Sequence, residues 1–191
     1  FRRVLFRSPQ PLSQVGGDPL GKTRWPLPDL TETIAALIAH PEDLGKMELH
    51  KLLAMTQLDP TQDLVGINWM GGDLRNVDLS TANLTRSNLR GADLSDGDFT
   101  ETNFHYARLS GADLSGALLS NVNLQGANLH RASLALCNLN GADLRGADLR
   151  GANLSQATLR GAQFAGSRWG DNEGLSPDLE AELKAGGALI A

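Results

Sequence analysis

One cysteine, one tyrosine and five phenylalanines are all that the sequence holds of these three residue types. The lone Cys137 excludes an internal disulfide framework and a cysteine-rich metal site. No apolar run approaches the roughly 18 residues that a membrane-crossing helix needs. Positive charge is not in excess: 17 Lys and Arg stand against 22 Asp and Glu, a net charge of −5. That balance excludes a protein that coats nucleic acid generally, which would be basic. At 41% hydrophobic and 20% charged the chain is not wholly disordered, and 191 residues bound it to one or two domains. The scarcity of aromatics says most, because irregular cores use them to fill space. In their place stand 34 Leu and 21 Gly, one side-chain shape used over and over, which points to a repeat.

Between residues 72 and 166 the sequence keeps a strict five-residue period without insertion or deletion. Leu or Phe occupies all nineteen positions from Leu74 to Phe164. Two positions earlier every residue is small, Ala in twelve of nineteen units and none larger than Val77 or Val122. The residue between is Asp or Asn in fourteen units, and the two that follow are polar or Gly with few exceptions. On an α-helix a step of five advances about 140°, so the leucines spiral without forming a stripe. On a strand an odd period sends alternate leucines to opposite faces. A chain that turns once per unit buries all nineteen along one axis, and Asn, Asp, Gly and Ser suit such turns. The fold class is an all-β solenoid.

The unit A-(D/N)-L-x-x, as in Ala92-Asp93-Leu94 and Ala152-Asn153-Leu154, resembles the pentapeptide-repeat family over a little more than half of the chain. The resemblance implies a right-handed four-sided β-helix with four units, hence twenty residues, per coil. Leu or Phe and the small residue fill its interior, and the other three positions face water. Leu64 and Trp69 continue the register upstream and Trp169 downstream, making 22 units and about 26 Å of stacked coils. Trp69 and Trp169, one hundred residues apart, fall on one side of the prism, where each can close an end of the core. Each buried Leu contributes roughly 1.5–3 kcal/mol against the cost of ordering, so stability comes from stacking many coils.

The flanks divide the rest. The chain begins with Phe, and FRRVLFRS resembles the translation of a sequencing adapter, so residues 1–8 are expected to be foreign. Residues 1–28 read as that segment followed by a disordered tail holding five of the eight prolines. Residues 29–60 read as a helical N-terminal cap: Asp29 and Glu32 form a capping box, Leu30, Ile34, Leu37 and Ile38 keep helical spacing, and Pro41 ends that helix. A second helix follows to about Leu58. Residues 61–170 are the β-helix, and 171–191 a C-terminal helix or cap, with Ser176 before Pro177 as its start and Gly186-Gly187 as its stop. Within the family such terminal helices also serve dimerisation, so a homodimer through this helix is a further expectation.

Chemistry is sparse. Gly16-Gly17-Asp18-Pro19-Leu20-Gly21-Lys22-Thr23 satisfies the phosphate-loop pattern, but no core strand precedes it and Pro26 and Pro28 forbid the helix that must follow. Cys137 occupies a small interior position and reads as structural. His105 and His130 fall at outward positions and read as solvated surface. The Asp residues stand singly at turns, unlike those of a calcium loop. No catalytic, cofactor-binding or metal site is read, and the protein is expected not to be an enzyme.

The surface carries what remains. Folded at twenty residues per coil, one side holds Asp73, Asp93, Asp96 and Asp113 against Arg75, net −3. The next holds Asp78, Asp98 and Glu101 against Arg160, net −2, and the third balances Arg86 and Arg145 against Asp63 and Asp143. The fourth, over residues 61–170, carries Arg90, Arg108, Arg131, Arg150 and Arg168 against Asp148, net +4. Leu118 and Leu136 break the polar rule near the corner joining the two acidic sides. These observations lead to a bacterial-type, cytoplasmic, non-catalytic scaffold that binds a protein partner through Leu118, Leu136, Asp93, Asp96, Asp98, Glu101, Arg108, Arg131, Arg150 and Arg168. Neither membrane nor direct nucleic-acid binding is expected. The alternative, implied by one branch of the family, is a DNA mimic acting on a type II topoisomerase. Ten acids against nine arginines over residues 61–170 give little of the dense negative charge that a mimic needs.

Overall fold

Each five-residue unit leaves five backbone N–H groups to satisfy, and the unit from Ala92 to Asp96 shows how all five are used. The small residue closes a turn, Ala92 N–H donating to the Leu89 carbonyl at 3.1 Å. Asp93 N–H reaches back one coil to Gly72, while Leu94 and Asp96 N–H reach forward to Asp113 and Ser115. The fifth, on Ser95, has no carbonyl within reach and is accepted instead by Asp93 Oδ1 at 3.1 Å. That bond explains the Asp/Asn column, since a side chain at this position can accept from the N–H two residues on. The same bond recurs at Ser80, Ser115, Gln125 and Ser155, among others.

The computed structural model describes residues 59–191, all within one compact unit. The proline-rich tail, the helices expected before Leu58 and the Gly16–Thr23 motif lie outside the described residues. Parallel bridges join residues twenty apart, from Asn68↔Asn88 to Asn153↔Glu173, along four columns. One column runs Asp73, Asp93, Asp113, Ser133, Asn153, so no bulge displaces Leu134 or Leu154 from the line begun by Leu74. Every Leu and Phe of the period is buried, as are Leu64, Trp69 and Trp169. Phe99 and Phe104 pack on each other with ring centroids 5.6 Å apart.

The corners turn through the left-handed region. The last residue of nearly every unit has positive φ, and where it is not Gly it is one of eleven others, including Asp96 at 56°, Tyr106 at 55°, Arg131 at 56° and Leu136 at 62°. Such a side chain lies over the corner of the next coil. A Cβ on Gly126 would meet the Tyr106 ring, one on Gly116 the Asp96 carboxylate, and one on Gly151 Arg131 Cγ at 3.1 Å.

At the C-terminal end the period gives way to polar capping. Asn172 stands where the small residue would be, its Nδ2 donating to the Leu149 and Ala152 carbonyls at 2.6 and 3.0 Å. Strand β1, Arg168–Trp169, is followed by helix α1, Pro177–Ala185, and strand β2, Leu189–Ile190, which pairs in parallel with β1. Ser176 Oγ caps α1 by accepting from Leu179 N–H, and Gly186 ends it. Leu183 is fully buried, and Gly186 sits against Phe164. Trp169 Nε1 donates to Ser167 Oγ at 2.8 Å, so the indole is buried with its polar edge satisfied.

Candidate interaction surfaces

An unbroken register makes position in the sequence equal to position on a side, so the charged residues line up as columns. Their availability is a separate matter. Asp93 and Asp98, read from the sequence as interaction residues, each spend Oδ1 on a turn N–H, of Ser95 and Thr100 respectively. Asp73, Asp143 and Asp148 each hold the Arg two residues on through two side-chain bonds, the shortest at 2.6–2.7 Å. The Arg145 and Arg150 guanidiniums keep the Asp143 and Asp148 carboxyls below the ordinary aspartate value. The carboxylates of Asp96 and Glu101, both exposed at positive-φ corners, have no hydrogen bond or ion pair among the described residues.

Leu118 and Leu136 are 47% and 60% exposed, and both depart from local rules. Leu118 takes the place of an Asp or Asn and offers Ser120 N–H no acceptor, forgoing a bond worth about 1 kcal/mol. Leu136 holds a bulky side chain at φ 62°, where a residue with a Cβ is strained. The bridges Asp98↔Leu118 and Leu118↔Asn138 place Leu118 beside Asp98, with Leu136 two residues before its other bridge partner.

On the arginine side the column runs Asn68, Asn88, Arg108, Asn128, Asp148, Arg168. Arg150 is committed to Asp148, whereas Arg90, Arg108, Arg131 and Arg168 have no carboxylate partner among the described residues. At the corner leading into this side stands Tyr106, 55% exposed and tilted on His105 with ring centroids 4.2 Å apart. Sequence reasoning passed over Tyr106, although a lone tyrosine at a position otherwise polar or Gly was visible. His105 and His130 are corrected too. Both residues are partly buried, with Nδ1 enclosed and without a hydrogen-bond partner. Burial pushes the Cys137 thiol up to about 12, and its S–H donates to the Leu114 carbonyl at 2.9 Å. Among the described residues no His, Cys, Asp and Glu cluster in a metal-binding arrangement, and no helix is long and apolar enough to cross a membrane.

Eight copies of the pentapeptide repeats model match residues 63–100, 98–135 and 137–168, more than half of the chain. The chain belongs to the pentapeptide repeat family. Among solved structures it is similar to the pentapeptide repeat protein Rfr23 from the cyanobacterium Cyanothece 51142, at 42% identity over 51% of this chain and 64% of that one, with a TM-score of 0.32. It is also similar to HetL, a pentapeptide repeat protein involved in heterocyst differentiation regulation from Nostoc sp. strain PCC 7120, at 29% identity over 65% and 72% of the two chains and a TM-score of 0.36. QnrB1, a plasmid-mediated fluoroquinolone resistance protein, matches at 22% identity over 65% of each chain with a TM-score of 0.43. The match thus spans slightly under two thirds of Rfr23. No curated protein sequence matches the chain.

Proposed function

We propose that this pentapeptide repeat protein is a non-catalytic binding module, a right-handed four-sided β-helix closed at its C-terminal end by α1 and β2, that docks protein partners on its charged sides. The observation that carries the reading is the unbroken twenty-residue bridge register. It presents the partnerless charges, Asp96 and Glu101 at the two corners of one side and the free arginines on another, from a wall whose coils are hydrogen-bonded to one another along its length. Rigid presentation lowers the ordering cost of association. A DNA mimic is less well supported: Asp73, Asp143 and Asp148 are neutralised by their own arginines, and Asp93 and Asp98 are tied into turns.

The test uses the full chain with one side reversed at a time, Asp96→Lys with Glu101→Lys or Arg108→Glu with Arg131→Glu. Each variant is checked for an unchanged far-ultraviolet dichroism spectrum and then cross-linked in cells. A partner released by one reversal and retained by the other is the expected result. Cross-linking that neither reversal changes would refute the reading. Inhibition of gyrase supercoiling that vanishes when Asp93, Asp96 and Asp98 become Asn would replace it with the topoisomerase mimic.

A further inference from the structure

We infer that Tyr106 and the arginine side it borders form the docking surface for an extended acidic segment of a partner protein, one carrying an apolar or aromatic anchor. The inference rests on the binding-module reading and narrows it to one surface and one partner chemistry. Tyr106 is a supported aromatic plate: its ring lies over Gly126 of the next coil, leans on His105, and keeps 55% of its surface in water. A ring so fixed gives contact area at low entropy cost. Arg108 follows two residues later, and Arg90 and Arg131, 18 residues before it and 23 after, lie on the preceding and following coils toward the far corner of the same side. All three are exposed, and none has an acid partner among the described residues. By contrast Arg75, Arg145 and Arg150 are each clamped by an Asp two residues earlier. The nearby carboxylate, Asp148, belongs to Arg150, and Asp171 lies at the far, C-terminal coil.

Tyr106 is the one aromatic among the non-Gly residues at left-handed corners of the described residues. Arg108 replaces the turn acceptor and leaves Ser110 N–H without it, and Tyr106 and Arg131 occupy the left-handed region. Departures of this kind concentrate at functional sites. Tyr and Arg are also the residues enriched where interfaces derive most of their energy. The three arginines span three successive coils, about 10 Å of axis, which three residues of an extended segment cover. A protein segment fits better than single-stranded nucleic acid, which needs aromatic rings in succession for its bases, whereas this side offers one.

The test is fluorescence anisotropy of the full chain with three labelled probes: an Asp/Glu-rich peptide with a central Phe, the same peptide with Ala there, and oligo-dT. The Phe peptide is expected to bind most tightly and to weaken with salt. Arg108→Glu with Arg131→Glu should weaken it at least tenfold, and Tyr106→Ala roughly fivefold, the latter only for the Phe peptide. Asp96→Lys with Glu101→Lys should not weaken it. Tighter binding of oligo-dT, indifference to Tyr106→Ala, or equal loss with Arg160→Glu would overturn the inference. If cross-linking in cells is meanwhile lost on the acidic side alone, the broader reading stands and this one falls. Concentration-dependent self-association abolished by the arginine reversal would identify a second copy as the occupant and would also overturn it.

Discussion

Replacing Gly126 by Ala puts a methyl group into the ring of Tyr106, with Cδ1 only 2.6 Å from the new carbon. Ordinary carbon contacts lie at about 3.5–4.0 Å, so the ring must leave its seat. The backbone contributes separately, because Gly126 has φ +67°. An L residue there costs about 1–2 kcal/mol, offset by about 0.4–1 kcal/mol from the stiffer unfolded chain. Gly111 isolates that backbone part: its φ is also +67°, yet a Cβ there meets nothing within 4 Å. Gly111→Ala should therefore cost about 0.5–1 kcal/mol. Gly126→Ala should cost about 1 kcal/mol more, for the aromatic contacts that Tyr106 gives up.

Urea unfolding followed by far-ultraviolet dichroism measures both, and a double-mutant cycle with Tyr106→Ala assigns the difference. In the Tyr106→Ala background the two glycine substitutions should cost the same to within about 0.3 kcal/mol. Equal costs in the wild-type background, or a difference that persists without the ring, would refute the coil-to-coil overlay. The same substitution carries a functional consequence. Gly126→Ala should weaken the Phe-bearing acidic peptide as Tyr106→Ala does, although residue 126 itself presents nothing to a ligand.

Gly174→Ala should be worse than either, since its φ is +79° and the new Cβ meets the backbone of Ser155 and Leu154, which cannot swing away; loss of the cooperative transition's upper part in urea is the readout. Leu136→Gly relieves a bulky residue at φ 62° and should stabilise the fold by about 0.5–1 kcal/mol; a destabilised variant would show that Leu136 packs more than its exposure implies. Asp143 and Asp148 have folded values below the ordinary 3.8. Their contribution to stability is therefore complete above that value and is lost as pH falls through the lowered ones. From about pH 5 down to about pH 2, Arg145→Ala with Arg150→Ala should lose less stability on acidification than the parent; parallel pH profiles would refute the pairing. Cys137, buried with its thiol at about 12, should resist a disulfide-exchange reagent in the native state and react at once in denaturant; rapid native labelling would contradict that burial.

How far the fold could be read ahead depended on which positions obey the period. Leu124, Ala127 and Leu129 tell the same story in sequence and structure, because a five-residue spacing has one way to bury all its leucines. The columns followed from arithmetic alone once no residue was inserted or deleted. The turn chemistry was less visible. Asp93 and Asp96 are the same residue three positions apart, yet the first is committed to Ser95 N–H and Oγ and the second is free. Net charge counts both alike, which is why a side read as net −3 offers fewer available carboxylates than its sum suggests. Arg108 and Arg145 differ in the same way, since only Arg145 follows an Asp by two residues.

Information about function therefore sits in the units that break the pattern. A unit such as Gly141-Ala142-Asp143-Leu144-Arg145 satisfies every local demand: Gly at the left-handed corner, Asp for the turn N–H, Arg for the Asp. Nothing in it is left over for a partner. The stretch from His105 to Arg108 satisfies few of these demands, with a tyrosine where Gly costs nothing and an arginine where Asn would close the turn. Its local costs, about 1 kcal/mol for each departure, are borne without disturbing the bridge Arg108↔Asn128 or the burial of Ala107 and Leu109. A fold stabilised by many stacked coils can carry such departures at its surface, and here they stand beside arginines that have no acid partner among the described residues, which is the physical reason to look for the partner there.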